Sequence, residues 1–225
     1  MSKHKERESI RDEFERTTCA CDQCKVPCRH MPGCLVPGDL EAIKDYLNIK
    51  DGVEHTEWIY ENFRASQGAK VLRKITGNPM PEVFEIPSLV PAQKPDGSCV
   101  FLSDNGECDI HPVAPFGCAY HDMHMGLEEA DERSNATVMS QMAALGGLDG
   151  KSNMYRSAVL ELAERDLIAP PLEERRANLE KDLKEVEANQ QWQTYDRRVQ
   201  ALEAEGLTRS DAQGVVDAED LKEGK

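Results

Sequence analysis

The sequence predicts a mainly α protein with a small cysteine-rich core containing a β-hairpin, followed by a long C-terminal helix. Three observations carry this. All eight cysteines lie in two short stretches, "CACDQCKVPCRHMPGC" (Cys19 to Cys34) and "CVFLSDNGECDIHPVAPFGC" (Cys99 to Cys118). The second stretch contains Asn105-Gly106, the strongest short hairpin signal. After Cys118 the chain becomes helical in pattern, ending in a polar run from Leu172 to Leu207 broken off from what precedes by Pro170-Pro171. The expected organisation is a cysteine-cluster domain over 1–125, a helical extension over 126–205 and an acidic, disordered tail over 206–225.

In chain order, residues 5–17 suit a short amphipathic helix carrying Ile10 and Phe14. "DLEAIKDYLNI" follows with Asp39 as N-cap, and Leu40, Ile43 and Leu47 on one face. Thr56 is the expected cap of "EWIYENFRA", with Ile59 and Phe63 on one side. Residues 76–98 hold Pro79, Pro81, Pro87, Pro91 and Pro95, and read as loop with a short extended piece at "VFEI". In the hairpin, Asn105-Gly106 as the turn sets Ser103 opposite Cys108. Cys99, Phe101, Cys108 and Ile110 then share a face. That register separates Cys99 and Cys108 by about 13 Å, too far for one zinc ion. Either the register differs or the two serve different sites.

"MGLEEADERSNATVMSQMAALGGL" and "NMYRSAVLELAERDLIA" are the next helices. In the last, Leu172, Leu179, Leu183 and Val186 keep one phase, whereas Trp192, Tyr195, Val199 and Leu202 fall out of it. A coiled coil needs sustained heptads, so a helix packed on its own domain is favoured over a dimer zipper.

Composition removes several functions. The net charge of -15 over 225 residues opposes binding to nucleic acid or to an anionic membrane surface. Mean hydropathy is -0.61, and no run approaches the roughly 20 apolar residues of a membrane span. "MSKHKERESIRDEFERTT" has no apolar signal-peptide core, so the expected compartment is the cytoplasm. Thiols stay reduced there, and clustered cysteines are then ligands rather than disulfides.

The first group reads Cys19-x-Cys21-x2-Cys24-x3-Cys28-x5-Cys34. Cys-x2-Cys lets two thiolates from one turn reach a single metal centre. Thiolates are soft ligands that select zinc, copper(I) or iron–sulfur clusters. The second group, Cys99, Cys108 and Cys118, cannot complete a four-thiolate site alone. It must borrow from the first group or use a histidine, so the N-terminal loop is expected to pack against 99–118. His30, His111, His121 and His124 are candidate additional ligands. The sequence has no G-x-S-x-G, Walker or G-x-G-x-x-G motif, and a Cys118–His121 nucleophile pair is a weaker possibility.

At these residues the chain resembles the YkgJ-like family of cysteine-cluster, zinc- or iron-chelating proteins. "CDQCKVPCRHMPGCLVPGDLEAIKDYLNI" is similar to that family's first motif, Cys-x2-Cys-x2-Cys-Cys followed by Pro and an amphipathic helix. "CVFLSDNGECDIHPVAPFGC" is similar to its second and more specific motif. Cys21, Cys24, Cys28, Cys99, Cys108 and Cys118 match best. The chain lacks the Cys-Cys doublet, adds Cys19, places Cys34 later, and has Ala114 and Ala119 where the family has arginine. The resemblance implies metal binding and no particular reaction.

The expectation is therefore a metal-binding protein with all eight cysteines as candidate ligands. The thiol count favours an iron–sulfur cluster, [4Fe–4S], in a redox, metal-handling or accessory role. The alternatives are a zinc-stapled interaction module and a cluster-dependent modification enzyme. A protein partner on the C-terminal helix is expected in place of nucleic acid or membrane.

Overall fold

The computed structural model describes residues 10–73, 82–146 and 154–223. Expectations falling on residues 5–9, 74–81 and 147–153 lie outside this description. The chain forms two compact units, Met1–Leu179 and Glu180–Lys225. The expected class holds: the fold is mainly helical, with one two-stranded antiparallel hairpin and a long C-terminal helix.

The first cysteine stretch folds as two single-turn helices, α1 (Asp22–Lys25) and α2 (Pro27–His30). Of the expected amphipathic helix over 5–17, the described part, from residue 10 on, holds a 3-10 turn over Ile10–Asp12, with Ile10 buried. The helix α3 (Asp39–Tyr46) buries Leu40 and Ile43, as their spacing predicts. Its N-cap is Gly38, at φ 95°, and not Asp39. The left-handed backbone suits glycine, and it frees the Asp39 side chain for another task. Asp39 is fully buried. Its carboxylate accepts from the Val36 and Phe116 amides at 3.0 and 2.8 Å and pairs with Arg11 at 2.7 Å. Burial pushes this carboxyl upward, while Arg11 and the two amides oppose it.

The next helix, α4 (Val53–Asn62), starts earlier than Thr56, after Gly52 at φ 101°. Thr56 lies inside it, its hydroxyl donating to the Gly52 carbonyl at 3.3 Å. At Phe63 the chain passes directly into β1 (Phe63–Arg73), which pairs antiparallel with β2 (Glu82–Pro91). Much of the stretch expected as loop is thus strand. Two prolines survive in β2 because this sheet has only edges. Pro91 ends the strand. Pro87 falls opposite the register shift between Ser66 and Ala69, so its missing N–H costs no ladder bond.

The segment expected as the hairpin keeps the turn at Asn105-Gly106, with Gly106 N–H donating to Ser103 O at 2.9 Å, but a tight turn on either side replaces the extended strands. Within it Leu102 bridges Cys108, one residue away from the expected register, while Cys99 bridges Gln93 outside it. Leu102 N–H donates to Cys99 O and His111 N–H to Cys108 O, both at 3.0 Å. Each cysteine therefore heads a turn, and the straight run that set them about 13 Å apart does not form. A short helix, α5 (Phe116–Ala119), carries Cys118.

Two longer helices, α6 (Leu127–Leu145) and α7 (Met154–Glu164), complete the core of the first unit. Tyr155, Ala158, Val159 and Leu162 of α7 cluster with Leu35, Leu40, Ile43, Phe63 and Leu89. A second cluster joins Ile10, Val36, Phe116 and Tyr120.

The polar run forms α8 (Leu172–Ala204). In the region expected as a disordered tail the structure has α9 (Arg209–Glu223), after a turn at Gly206 with φ 102°. Val199, Ala212 and Val216 form an apolar cluster in this second unit. Arg198 pairs with Glu219 and Asp220, and Arg209 with Asp196 and Glu203. The out-of-phase Val199 is thus buried within its own unit.

The two cysteine stretches meet across glycine, as the count of ligands requires. Gly117 N–H donates to Cys34 O at 2.9 Å. A Cβ at Gly33 would lie 2.1 Å from the Gly117 carbonyl carbon and 2.4 Å from the Cys118 nitrogen. Those neighbours are backbone and cannot turn aside. Gly33→Ala is expected to destabilise by about 3 kcal/mol, the upper end of overpacking costs. Urea unfolding checks this, and an unchanged midpoint would contradict the crossing.

Candidate metal centre

The N-terminal segment of the site is strapped to residues 111–120 by side chains that sequence spacing does not single out. Arg11 donates to Ala114 O at 2.9 Å, and Arg16 to His111 O and Pro112 O at 2.6 Å. Thr17 N–H donates to Ala119 O at 2.9 Å. The buried Arg133 of α6 bonds Glu15 O and Tyr120 O together, at 2.8 and 2.7 Å. Just beyond this strap, Cys19 and Cys21 lead into α1, which carries Cys24. On the other side, Asp122 accepts the His124 amide at 2.8 Å, and this turn presents the imidazole.

Cys19, Cys21, Cys24 and His124 come together there, their ligand atoms all within 4.8 Å of one another. Cys21 Sγ lies 3.1 Å from His124 Nε2. This hydrogen bond holds the Cys21 thiol down at about 6 and raises His124 above its ordinary value. Cys24 goes the other way. Burial pushes it up to about 12, against the Met123 amide that faces its sulfur. Three soft sulfurs and one imidazole nitrogen are a donor set suited to zinc. A tetrahedral ion with Zn–S near 2.3 Å holds its sulfurs about 3.8 Å apart, so a small inward movement of this constellation encloses one ion. A thiolate–imidazole pair is also the arrangement of a thiol nucleophile. Two further thiols within the same reach favour coordination.

Metal binding here must displace protons, and the sign follows from the thiols. Above pH 6 Cys21 already carries its charge; below it the metal competes with a proton there. Cys24 must lose its proton at any neutral pH. Zinc affinity is therefore expected to fall at least tenfold per unit as pH drops from about 7.5 to about 5.5. Competition with a chromophoric chelator measures it, and a pH-independent affinity would exclude thiolate ligation.

The remaining sequence candidates fall elsewhere. Cys28, Cys99, Cys108 and Cys118 lie outside the Cys3His group; Cys99 N–H donates to Cys28 O at 2.8 Å and Gly33 N–H points at Cys118 Sγ at 3.1 Å. Cys34 sits among Asp39, Gln141 and Arg175, and burial lifts it to about 11. His121 lies edge-on to Phe116, and burial lowers it. The sequence grouped Cys21, Cys24 and Cys28; the structure sets Cys28 apart and brings in Cys19. His124 was one of four candidate histidines with nothing local to distinguish it.

Fold and site together define a mainly helical protein with a Cys3His constellation able to hold a metal ion. Comparison with known protein families, curated proteins and solved structures finds no match to this chain. Among the described residues no helix is long and apolar enough to cross a membrane.

Proposed function

We propose that this is a zinc protein in which Cys19, Cys21, Cys24 and His124 hold one tetrahedral ion. The observation that carries it is the mutual approach of the four ligand atoms within 4.8 Å. An iron–sulfur cubane binds each thiolate to a different iron and so spreads them further than a single ion does. The [4Fe–4S] expectation therefore suits this constellation less well than zinc.

The role that follows is a staple. Cys21 and His124 are 103 residues apart, and an ion between them closes that loop in the folded state alone. Cys19 and His124 are exposed, so the ion is within reach of chelators and its occupancy follows the zinc available. The stapled unit reads as an accessory or interaction module, its partner a protein engaged through the C-terminal helices. Kinship with the YkgJ-like family and cytoplasmic residence, where the thiols stay reduced, belong to the same proposal.

The test is metal analysis of the full-length protein and its His124→Ala variant, with cobalt(II) substitution. The expected result is one zinc lost with His124. Cobalt should give tetrahedral absorption with three sulfur ligands in the wild type. Zinc retained in full by His124→Ala would overturn the assignment.

A further inference from the structure

We propose that Cys21 and Cys24 are a site of reversible oxidation, whose sulfurs a low-molecular-weight disulfide links to each other when no ion holds them. The consequence for metal release rests on the zinc reading; the disulfide itself does not.

The geometry brings the reacting atoms together. The sulfurs of Cys19, Cys21 and Cys24 lie within 4.8 Å of one another. A disulfide bond is about 2.05 Å long, so two of these sulfurs have less than about 3 Å to travel. Cys21 is the N-cap of α1, with extended backbone at φ -68° and ψ 167°, and Cys24 sits in the first turn behind it. An N-cap side chain naturally reaches over the residue three positions on. The Cys-x2-Cys spacing therefore sets these two sulfurs on one side of the turn. A bridge from Cys19 to Cys21 would close a ring over a single residue, with the strain of distorted disulfide geometry. Cys19 lies outside α1 and has no such fixed relation to Cys24.

The site is also open to a reagent. Cys19 and His124 are exposed, and Cys21 and Cys24 are half-buried, whereas Cys99 is buried. His124 Nε2, 3.1 Å from Cys21 Sγ, gives the attacking sulfur a polar partner. Redox-sensing cysteines are typically accessible and stand beside a resolving thiol. The bonds of Arg16, Thr17 and Arg133 hold this corner together through the polypeptide, so the thiols keep their places without an ion.

The chemistry is two successive exchanges. The Cys21 sulfur attacks one sulfur of the small disulfide; the reagent's S–S bond breaks and one small thiol leaves. The Cys24 sulfur then attacks the Cys21 sulfur, breaking the mixed disulfide and releasing the second small thiol. The two protein thiols give up two electrons and two protons, and both leave on the small thiols. Oxidation consumes two of the four ligands of the Cys3His group. Cys19 and His124 alone do not make a closed zinc site, so oxidation releases the ion. A bound ion conversely engages both sulfurs and protects them.

The experiment treats full-length protein, zinc-loaded or stripped with a chelator, with oxidised glutathione. Tryptic cleavage after Arg16 and Lys25 leaves Cys19, Cys21 and Cys24 in one peptide for mass spectrometry. In stripped protein this peptide should lose two hydrogens, with fragmentation placing the link between Cys21 and Cys24. Zinc-loaded protein should react at least about tenfold more slowly, because a coordinated thiolate is a poorer nucleophile. Dithiothreitol should restore both the mass and zinc uptake. Cys24→Ser should trap glutathione on Cys21, and Cys21→Ser should form no internal link. Stripped protein that stays reduced, a link that persists in Cys21→Ser, or equal rates with and without zinc would each overturn the inference. Zinc binding without the disulfide defeats this proposal alone, and the disulfide without zinc binding defeats the zinc assignment, so the two failures are distinguishable.

Discussion

Cys24→Ser lowers the affinity of the Cys3His constellation for zinc by about 100-fold or more. Structural zinc sites bind with roughly 10–16 kcal/mol, so one ligand of four accounts for about 3 kcal/mol. Cys24 is the informative choice because it is the most shielded of the three thiols, pushed up to about 12 by burial. Serine keeps its size and removes the soft donor. Its hydroxyl cannot ionise at neutral pH to replace the thiolate. Chelator competition measures the change, and Cys34→Ala serves as the comparison. Cys34 faces Gln141 and Asp39, apart from Cys19, Cys21 and Cys24, so its loss should leave zinc stoichiometry intact. Equal affinities for the wild type and Cys24→Ser would end the assignment.

Asp39→Ala destabilises the first unit by about 3–5 kcal/mol, the cost of breaking a buried ion pair from one side. The carboxylate is the shared acceptor for three segments: Val36 after the first cysteine stretch, Phe116 at the start of α5, and Arg11 in the N-terminal strap. Its removal leaves two amides without their acceptor, each worth about 1–3 kcal/mol when buried. It also takes from Arg11 the carboxylate that balances its bond to Ala114 O. For a unit of this length each kcal/mol moves the melting temperature by about 2–4 °C, so a drop of about 10 °C is expected. Asp39→Asn, which keeps an oxygen acceptor but no charge, should lose less. Calorimetry of the three proteins checks the order, and equal melting temperatures would contradict it.

Local chemistry was legible in the sequence. The i, i+3 spacing of Leu40 and Ile43 marks a helix, and those two residues are buried in it. Asn105-Gly106 marks a turn, and a turn is there. The paired strands form at Phe63–Pro91, where loop was expected, because β1 follows directly on α4 and a two-stranded sheet tolerates the prolines that argued for loop. The acidic composition of residues 206–225 argues for disorder. Composition does not reveal that Ala212 and Val216, four residues apart, suffice to pack on Val199.

The cysteine spacing by itself determined what these residues offer chemically: soft donors, clustered in two stretches of the chain. Tertiary structure alone decided how they divide. Spacing controls which thiols one turn can present, and it keeps Cys19, Cys21 and Cys24 within reach of a common point. It carries no information about which distant side chain arrives there. His124 arrives because Arg11, Arg16, Thr17 and Arg133 strap the N-terminal segment to residues 111–120. Cys28 goes elsewhere because its carbonyl accepts the Cys99 amide, placing α2 against the second stretch. Long-range partners are set by hydrogen bonds and glycine crossings between segments some hundred residues apart, and those exist only once the chain has folded.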